Sequence, residues 1–181
     1  SDTQTPQGIL ALAKQYHYGL KDLLSQSGAA HFIVLERLQD PGNLGTILRA
    51  GEAAGITGVI MDSQTADIYN PKVIRSTMGA VFRVPFVYVE DLKAALLQLK
   101  DHGVHLYAAH LKGQNSYDQE DYTESTGFLI GNEAQGLSDE IASLADTYVK
   151  IPMAGSVESL NAAIASSVLM FEVARQRRNQ K

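Results

Sequence analysis

The sequence contains no cysteine, which excludes disulfide bonds, thiolate catalysis and zinc or iron–sulfur sites built on cysteine. It also lacks an uninterrupted apolar run of about 18 residues, the length that a membrane-spanning helix needs. Positive charge is scarce, because 15 Lys and Arg stand against 20 Asp and Glu, for a formal net charge of −5. Broad nonspecific attraction to nucleic acid is therefore not expected, which leaves only a local basic patch. We expect a cytoplasmic protein.

Two common catalytic patterns are also missing. The five histidines are scattered along the chain without the spacing typical of metal ligands, and no G-x-S-x-G segment is present. The sequence therefore predicts neither a metal centre nor a serine hydrolase.

Short runs of branched apolar residues alternate with amphipathic stretches. With 181 residues, of which 45% are hydrophobic, the chain can bury one good core. The alternation predicts an α/β fold with a mainly parallel sheet that is flanked by helices on both faces. The predicted strands are FIVLERL after His31, GVIMD, VPFVYV, VHLYAAH, GFLIG and TYVKIP.

The segments between these elements are predicted from their glycine, proline and polar residues. A turn at 40–43 is expected to precede a helix that stops at Gly55. Residues 63–80 and 111–125 are predicted to be irregular. Residues 1–30 are only weakly helical, so we expect them to form a linker or a peripheral cap.

A long helix is predicted at the end of the chain, over 159–176. Ser159 is the expected N-cap, which places Asn161 in the first turn. The helix is expected to bury one apolar stripe, spaced at four, four and three residues: Leu160, Ile164, Val168 and Phe171.

Two polar, glycine-containing loops, GNEAQG at 131–136 and IPMAGSVESLN at 151–161, flank a short helix and a strand. We expect them to hold a small polar ligand against exposed backbone, since small residues such as Gly155 allow close approach. Glu133 directly follows a predicted strand, where α/β folds place ligand-binding groups, although it can also cap the next helix.

An alternative ligand site is suggested nearer the start of the chain. Gly42 and Gly45 lie between a strand and a helix, and Asp62 ends the next strand, as in a nicotinamide dinucleotide-binding oxidoreductase. The G-x-G-x-x-G pattern is incomplete, so the two glycines can equally shape a tight turn.

Arginine and lysine form a small set of candidate anion contacts. Arg49 lies within an otherwise apolar and small-residue helix, so its guanidinium must either reach solvent or meet an anion. Lys72, Arg75 and Arg83 form a local basic cluster that can face an anion or simply be solvated.

Three segments together resemble one known family. They are DPGNLGTILRA at 40–50, LIGNEAQG at 129–136 and IPMAGSVESLNA at 151–162. In this order they are similar to the motifs of the SpoU (TrmH-type) RNA 2′-O-ribose methyltransferases of the SPOUT class. The resemblance covers residues 32–177, and bacterial 23S rRNA methyltransferases are the most similar members.

The resemblance implies a C-terminal deep trefoil knot, S-adenosylmethionine as the cofactor, no metal, and a homodimer with the pocket at the subunit interface. It implies that the cofactor is bound by Gly131, Ile151 and Leu160, together with Met153, Asn132 and Ser156. The residues implied for catalysis and substrate positioning are Asn43, Arg49, Glu133, Ser159 and Asn161.

The resemblance also implies RNA as the partner, and the basic cluster of Lys72, Arg75 and Arg83 then supplies the expected phosphate contacts, with a solvated surface as the alternative. Family members usually carry a separate N-terminal RNA-binding domain, so we expect 1–30 to be the linker behind such a domain and 31–181 to be the methyltransferase domain. 23S rRNA is the expected substrate. A tRNA 2′-O-methyltransferase, a catalytically silent RNA-binding homologue and the oxidoreductase remain the alternatives.

Overall fold

The computed structural model describes residues 8–9 and 11–180. Its seven strands are β1 (His31–Leu35), β2 (Gly58–Asp62), β3 (Phe86–Val89), β4 (His105–Ala109), β5 (Asn115–Ser116), β6 (Thr126–Ile130) and β7 (Thr147–Lys150). They form one sheet in the order β3-β2-β1-β6-β4-β7-β5, and every neighbouring pair is parallel. The prediction of a mainly parallel sheet is confirmed.

Helices cover both faces of this sheet. They are α1 (Leu20–Leu24), α2 (Pro41–Ala54), α3 (Pro71–Ser76), α4 (Leu92–Asp101), α5 (Asp139–Ala142) and α6 (Ala162–Asn179). Buried residues of α2, α3 and α6 share one core cluster, and those of α1, α4 and α5 share a second. No helix in the described ranges is long and apolar enough to cross a membrane.

The central strand β1 explains why its sequence is an unbroken apolar run. Successive side chains of a strand point to opposite faces, so a strand covered on both sides is apolar throughout. Ile33 and Leu35 belong to the core cluster of α2 and α6, whereas Phe32 and Val34 belong to that of α4. Both sets are fully buried.

The helix α2 begins earlier than the sequence predicted. The Asp40 side chain caps the helix by accepting a hydrogen bond from the Asn43 amide at 2.8 Å, and Pro41 is the first helical residue. The predicted turn at 40–43 is therefore wrong, because its Asp-Pro signal is a helix start. The predicted stop is confirmed, since Gly55 ends α2 with a left-handed φ of 74°.

Two segments predicted to be irregular contain regular structure. Within 63–80 the Asn70 side chain caps α3 and Pro71 opens it, as Asp40 and Pro41 do for α2. Within 111–125 the short strand β5 pairs with β7, and a 3₁₀ turn covers Tyr117–Gln119.

The last helix starts at a different residue and buries a different face from those predicted. Asn161, not Ser159, is the N-cap, and its Oδ1 accepts from the amides of Ala163 at 2.9 Å and Ile164 at 3.3 Å. The predicted stripe is wrong, because Ile164 and Phe171 are each 49% exposed. A different set of residues, which includes small ones, faces inward where α6 packs against α2: the buried positions are Ala163, Ser166, Leu169, Met170, Glu172 and Val173.

The first part of the described chain lies against the domain. Leu23 of α1 is buried so closely against β2 that a Cβ on Gly58 would lie 2.7 Å from its Cδ2. The Tyr69 hydroxyl accepts from the Tyr16 amide at 3.1 Å and donates to the Tyr16 carbonyl at 3.2 Å. Residues 11–19 form no helix. The division at residue 30 stays a prediction.

Candidate active site

The sheet order places two distant loops next to each other. β1 and β6 are parallel neighbours, and Leu35 pairs with Ile130 at their carboxyl ends. The loop from β1 into α2 and the loop after β6 therefore leave the sheet at the same edge, where open α/β sheets bind ligands.

The two ends of the loop at 131–136 lie close together. Asn132 and Gly136 exchange two backbone hydrogen bonds, of 3.1 and 2.8 Å. A Cβ on Gly131 would lie 2.1 Å from the Gly136 carbonyl carbon and 2.1 Å from the Leu137 nitrogen. Position 131 therefore has no room for a side chain, which is why the loop needs glycine there.

Asn132 fixes this loop to the end of β1. Its Oδ1 accepts from the amides of Ala134 at 3.0 Å and Gln135 at 3.1 Å, which folds the loop locally. Its Nδ2 donates to the Arg37 carbonyl at 2.9 Å, across 95 residues of sequence. Its oxygen and one of its two N–H donors are thus used within the protein, so its contribution to a ligand site is to shape the loop.

Glu133 joins the two loops through its carboxylate. Oε1 accepts from the Asp40 amide at 2.9 Å and from Asn43 Nδ2 at 3.0 Å, and Oε2 accepts from the Gln39 amide at 3.1 Å. Asn161 Nδ2 donates in turn to Asn43 Oδ1 at 2.9 Å. The chain of hydrogen bonds from Asn161 through Asn43 to Glu133 thus brings together one residue from each of the three sequence segments.

The direction of this chain follows from the carboxylate. An ionised carboxylate only accepts hydrogen bonds, so Asn43 must turn its amino group towards Glu133 and its oxygen towards Asn161. Partial burial alone would raise the pKa of Glu133, but the hydrogen bonds from Asp40, Asn43 and Gln39 outweigh it and hold that pKa below its ordinary value. Glu133 therefore remains ionised at neutral pH and orients both amides.

Glu133→Gln is expected to lower the free energy of unfolding at pH 7 by about 1 kcal/mol, because the exposed side chain is partly screened. Since the folded pKa lies below the unfolded one, this contribution is present above the ordinary value of 4.5 and is lost as pH falls through the folded pKa. Urea unfolding of wild type and variant at pH 7 and in acid measures it. A difference that is the same at both pH values, or an equal effect of the exposed control Glu90→Gln, would contradict this role.

A cavity of about 370 Å³ lies beside these loops. Its walls come from the ends of β4, β6 and β7 and from the start of α6. Among the predicted cofactor residues it is lined by Gly131, Asn132, Ile151, Met153 and Leu160, and among the predicted catalytic residues by Glu133 and Ser159.

Four of the predicted cofactor and catalytic residues do not line this cavity. Asn43 and Asn161 lie next to it through their hydrogen bonds with Glu133. Ser156 is exposed in the loop 151–161, and Arg49 is exposed on α2.

The sequence did not indicate one whole wall of the cavity. Ala109, His110 and Leu111 line it because β4 lies between β6 and β7 in the sheet. These residues carry no motif, and the strand order that selects them is not visible in the sequence. Ala134, Gln135, Gly136 and Glu158 also line the cavity and belong to the two loops that were expected to hold a ligand. The other lining residues outside those loops are Leu137, Val149, Lys150, Ala162, Ala165 and Leu169, with Ile130 at the end of β6.

The two predicted polar loops differ in how tightly they are built. In the loop 151–161, a Cβ on Gly155 would meet no atom within 4 Å, and Pro152 and Ser156 are exposed. The expected close approach at Gly155 is therefore not required by the protein's own packing, in contrast to Gly131.

The cationic side chains have different surroundings. Among the described residues Arg49 and Arg75, both exposed, have no side-chain hydrogen bond or ion-pair partner. Lys72 Nζ lies 4.0 Å from an Asp40 carboxylate oxygen. Arg83 is paired with both carboxylate oxygens of Glu52, with Nη2 at 2.9 Å from Oε2.

The residues that suggested a dinucleotide-binding site have structural roles instead. Gly42 and Gly45 lie inside α2, so their predicted turn is wrong, and a Cβ on Gly45 would collide with Ser76 of α3. Both carboxylate oxygens of Asp62 accept from the Arg37 amide at 3.1 Å, and one also accepts from Thr65 Oγ1 at 2.7 Å. Within the described part of the chain, no group of three or more acidic or histidine side chains forms a metal site.

Comparison with known proteins gives consistent matches. Residues 30–171 match the model of the SpoU rRNA Methylase family. A Staphylococcus aureus (strain MSSA476) protein assigned to the TrmH family of tRNA/rRNA methyltransferases is 35% identical over 176 residues, which cover 94% of this chain and 71% of the relative.

Solved structures are similar over most of the chain. An AdoMet-bound rRNA methyltransferase from Sinorhizobium meliloti is 36% identical with a TM-score of 0.82, covering 90% of this chain and 62% of that chain. A structure described as an RNA 2′-O ribose methyltransferase is 29% identical with a TM-score of 0.77, covering 96% of this chain and 62% of that chain. The chain thus spans less than two thirds of the length of these solved relatives.

Proposed function

We propose that this chain, which belongs to the SpoU rRNA methylase family, transfers a methyl group from S-adenosylmethionine to a ribose 2′-hydroxyl of RNA. The observation that carries the proposal is the hydrogen-bonded chain of Asn161, Asn43 and Glu133 at the edge of the cavity. A solved relative with the cofactor bound and another described as a 2′-O ribose methyltransferase support the same activity.

The cavity fits the cofactor in size and in chemistry. Its volume of about 370 Å³ lies within the range of about 300–1,000 Å³ that small-molecule sites occupy. Gly131, Ile151 and Leu160 would frame the cofactor, with Met153 as an apolar wall, and the missing side chain at Gly131 exposes backbone there. When bound, S-adenosylmethionine would supply the methyl group, and its transfer needs no metal ion.

The chemistry needs alignment and a path for one proton. The 2′-hydroxyl would pass its proton to water as its oxygen bonds the methyl carbon, and the donor sulfur would keep the electron pair of the broken bond. Asn43 and Asn161 offer oriented amides that position the ribose, and Ser159 lines the cavity. A guanidinium offers only hydrogen-bond donors and no acceptor for a proton, so Arg49 acts by gripping the neighbouring phosphate and stabilising charge on the attacking oxygen.

The proposed active unit is a homodimer with the pocket at the subunit interface. Arg49 is exposed on α2 and does not line the cavity of its own chain, as expected of a residue that completes a partner's site. The outer face of α6, defined by Ile164 and Phe171, leaves two large apolar side chains 49% exposed, which suits a subunit contact.

The proposed C-terminal trefoil knot is supported by the order of the strands. β6 is inserted between β1 and β4, and β7 is inserted between β4 and β5, although both come later in the sequence. Insertion of late strands between earlier ones is the arrangement expected when the C-terminal segment threads through a loop.

A direct assay tests the activity. Purified protein is mixed with radiolabelled S-adenosylmethionine and either 23S rRNA or tRNA transcripts, and the labelled RNA is then hydrolysed in alkali. Label is expected in 23S rRNA, in dinucleotides that resist alkali, because a methylated 2′-oxygen cannot attack the adjacent phosphate. Label on a base, or RNA binding without any transfer, would contradict the proposal; the second outcome identifies a catalytically silent homologue.

Lys72, Arg75 and Arg83 are the proposed RNA phosphate contacts. Neutralising all three is expected to weaken RNA binding and to lower the slope of log K against log salt by about 2–3. The change is smaller if Arg83 of the wild-type protein stays paired with Glu52 when RNA binds. Binding titrations at several salt concentrations measure this slope. The control neutralises Lys21 and Lys93, which lie on helices of the opposite face; an unchanged slope in the triple variant would exclude these contacts.

A further inference from the structure

The cavity wall carries four ionisable side chains: His110, Glu133, Lys150 and Glu158. Two of them, Glu133 and Glu158, are carboxylates. Glu133 is occupied by hydrogen bonds from Gln39, Asp40 and Asn43. The Glu158 side chain has no hydrogen-bond or ion-pair partner within the described ranges, and it is exposed. Glu158 is therefore the carboxylate on this wall that is available to a ligand.

The position of Glu158 keeps it beside the ligand space. Its sequence neighbours Ser159 and Leu160 line the same cavity, so this part of the loop runs along the wall. A structural role in helix α6 is a weak explanation, because Glu158 lies three residues before the N-cap Asn161. The helix dipole acts on charges within the first turn, and Glu158 precedes that turn.

The proposed cofactor changes its charge in the reaction. The methyl donor is a sulfonium cation, and once the methyl group has moved to oxygen the sulfur keeps the electron pair and becomes an uncharged thioether. The methyl donor and the product left after transfer are otherwise alike in their adenosine and amino acid parts. A single carboxylate near the sulfur is therefore enough to distinguish them by Coulomb attraction.

We propose that Glu158 is a specificity residue that binds the charged methyl donor in preference to its uncharged product. The inference rests on the proposed function, since it assigns a role to one wall of the same cavity. Glu158 attracts the sulfonium before transfer and loses that attraction after it, so the product is released more easily than the donor. Because Glu158 is exposed, solvent screens the attraction, and the expected preference is about three- to tenfold.

Calorimetric titration of S-adenosylmethionine and S-adenosylhomocysteine into wild-type protein and Glu158→Gln tests the proposal. The variant is expected to raise the Kd of the donor about three- to tenfold and to leave the Kd of the product within about twofold. Sinefungin, which carries a protonated amine in place of the sulfonium, is expected to follow the donor. The control Glu90→Gln removes an exposed carboxylate after β3, the outermost strand, which β2 and β1 separate from β6, and it is expected to change neither Kd.

Three results would overturn this role. Equal weakening of donor and product in Glu158→Gln means that the carboxylate contacts the part that both molecules share. No weakening of either means that it contacts neither. Wild-type protein that binds neither molecule rejects the proposed cofactor together with this inference, whereas the first two results reject the inference alone. An unchanged thermal midpoint of the unliganded variant establishes that the fold is intact.

Discussion

Replacing Arg49 with alanine is expected to lower the single-turnover rate of methyl transfer by about 10²–10³-fold at saturating RNA. The exposed guanidinium has no partner among the described residues, so its removal leaves no buried charge unpaired and the fold intact. The rate falls because the variant lacks the positive charge that we propose stabilises the attacking oxygen. Rapid-quench measurement of methyl transfer, with cofactor and RNA affinities measured separately, isolates this step.

Arg49→Lys and Arg178→Ala serve as matched variants. Lysine keeps the charge of Arg49 but loses its planar, two-pronged hydrogen bonding, so partial activity is expected. Arg178 is exposed near the end of α6, and its loss tests the effect of removing one surface charge. If Arg49→Ala weakens RNA binding but transfers methyl groups at the full single-turnover rate, Arg49 only binds RNA and has no catalytic part.

Gly131→Ala is expected to abolish measurable cofactor binding, a loss of more than about 100-fold, and to lower the free energy of unfolding by about 3 kcal/mol. The added Cβ would lie 2.1 Å from backbone atoms of Gly136 and Leu137, and backbone cannot move aside as a flexible side chain can. The loop must then open, which displaces Asn132 and Glu133 from the cavity wall. Urea unfolding and calorimetric titration of S-adenosylmethionine measure the two effects.

Gly155→Ala is the matched control for Gly131→Ala. It makes the same chemical change in the second polar loop, where the added Cβ meets no atom within 4 Å. Unfolding of this variant is expected to match wild type. Normal cofactor binding by Gly131→Ala would show that the loop 131–136 does not form the proposed cofactor site.

The strands were predictable because burial on both faces leaves a direct trace in the sequence. Ile33 and Leu35 pack on one face and Phe32 and Val34 on the other, so the run is apolar whichever neighbours it acquires. An unbroken apolar run identifies a strand but not its position in the sheet. The insertion of β6 between β1 and β4 therefore had to come from the structure.

Helix starts were harder to predict, because turns and helix N-termini use the same residues. Asp40 with Pro41 and Asn70 with Pro71 are typical of both, and in each case the helix is the outcome. The buried face of α6 was ambiguous for a related reason. Large apolar residues such as Phe171 outline one stripe, but close packing against α2 selects a neighbouring stripe that includes small residues.

Candidate site residues were predictable by type, whereas their contacts were not. The sequence and its resemblance singled out Glu133, Asn43 and Asn161, which the fold joins by hydrogen bonds across 90 and 118 residues. Local pattern carries no information about contacts at such separations. The same reason explains why His110, at the end of β4, was not expected to line the cavity.

The insertion of β6 also determines when the site can form as the chain folds. Thr126 pairs with His31 on one side and with His105 on the other, and such long-range pairing is slow because loop closure precedes any gain from contact. A chain that has organised only β1, β2 and β3 already holds Asn43 but has no Glu133 to orient it. Because Glu133 follows β6, the three segments can meet only once β6 has paired with both β1 and β4.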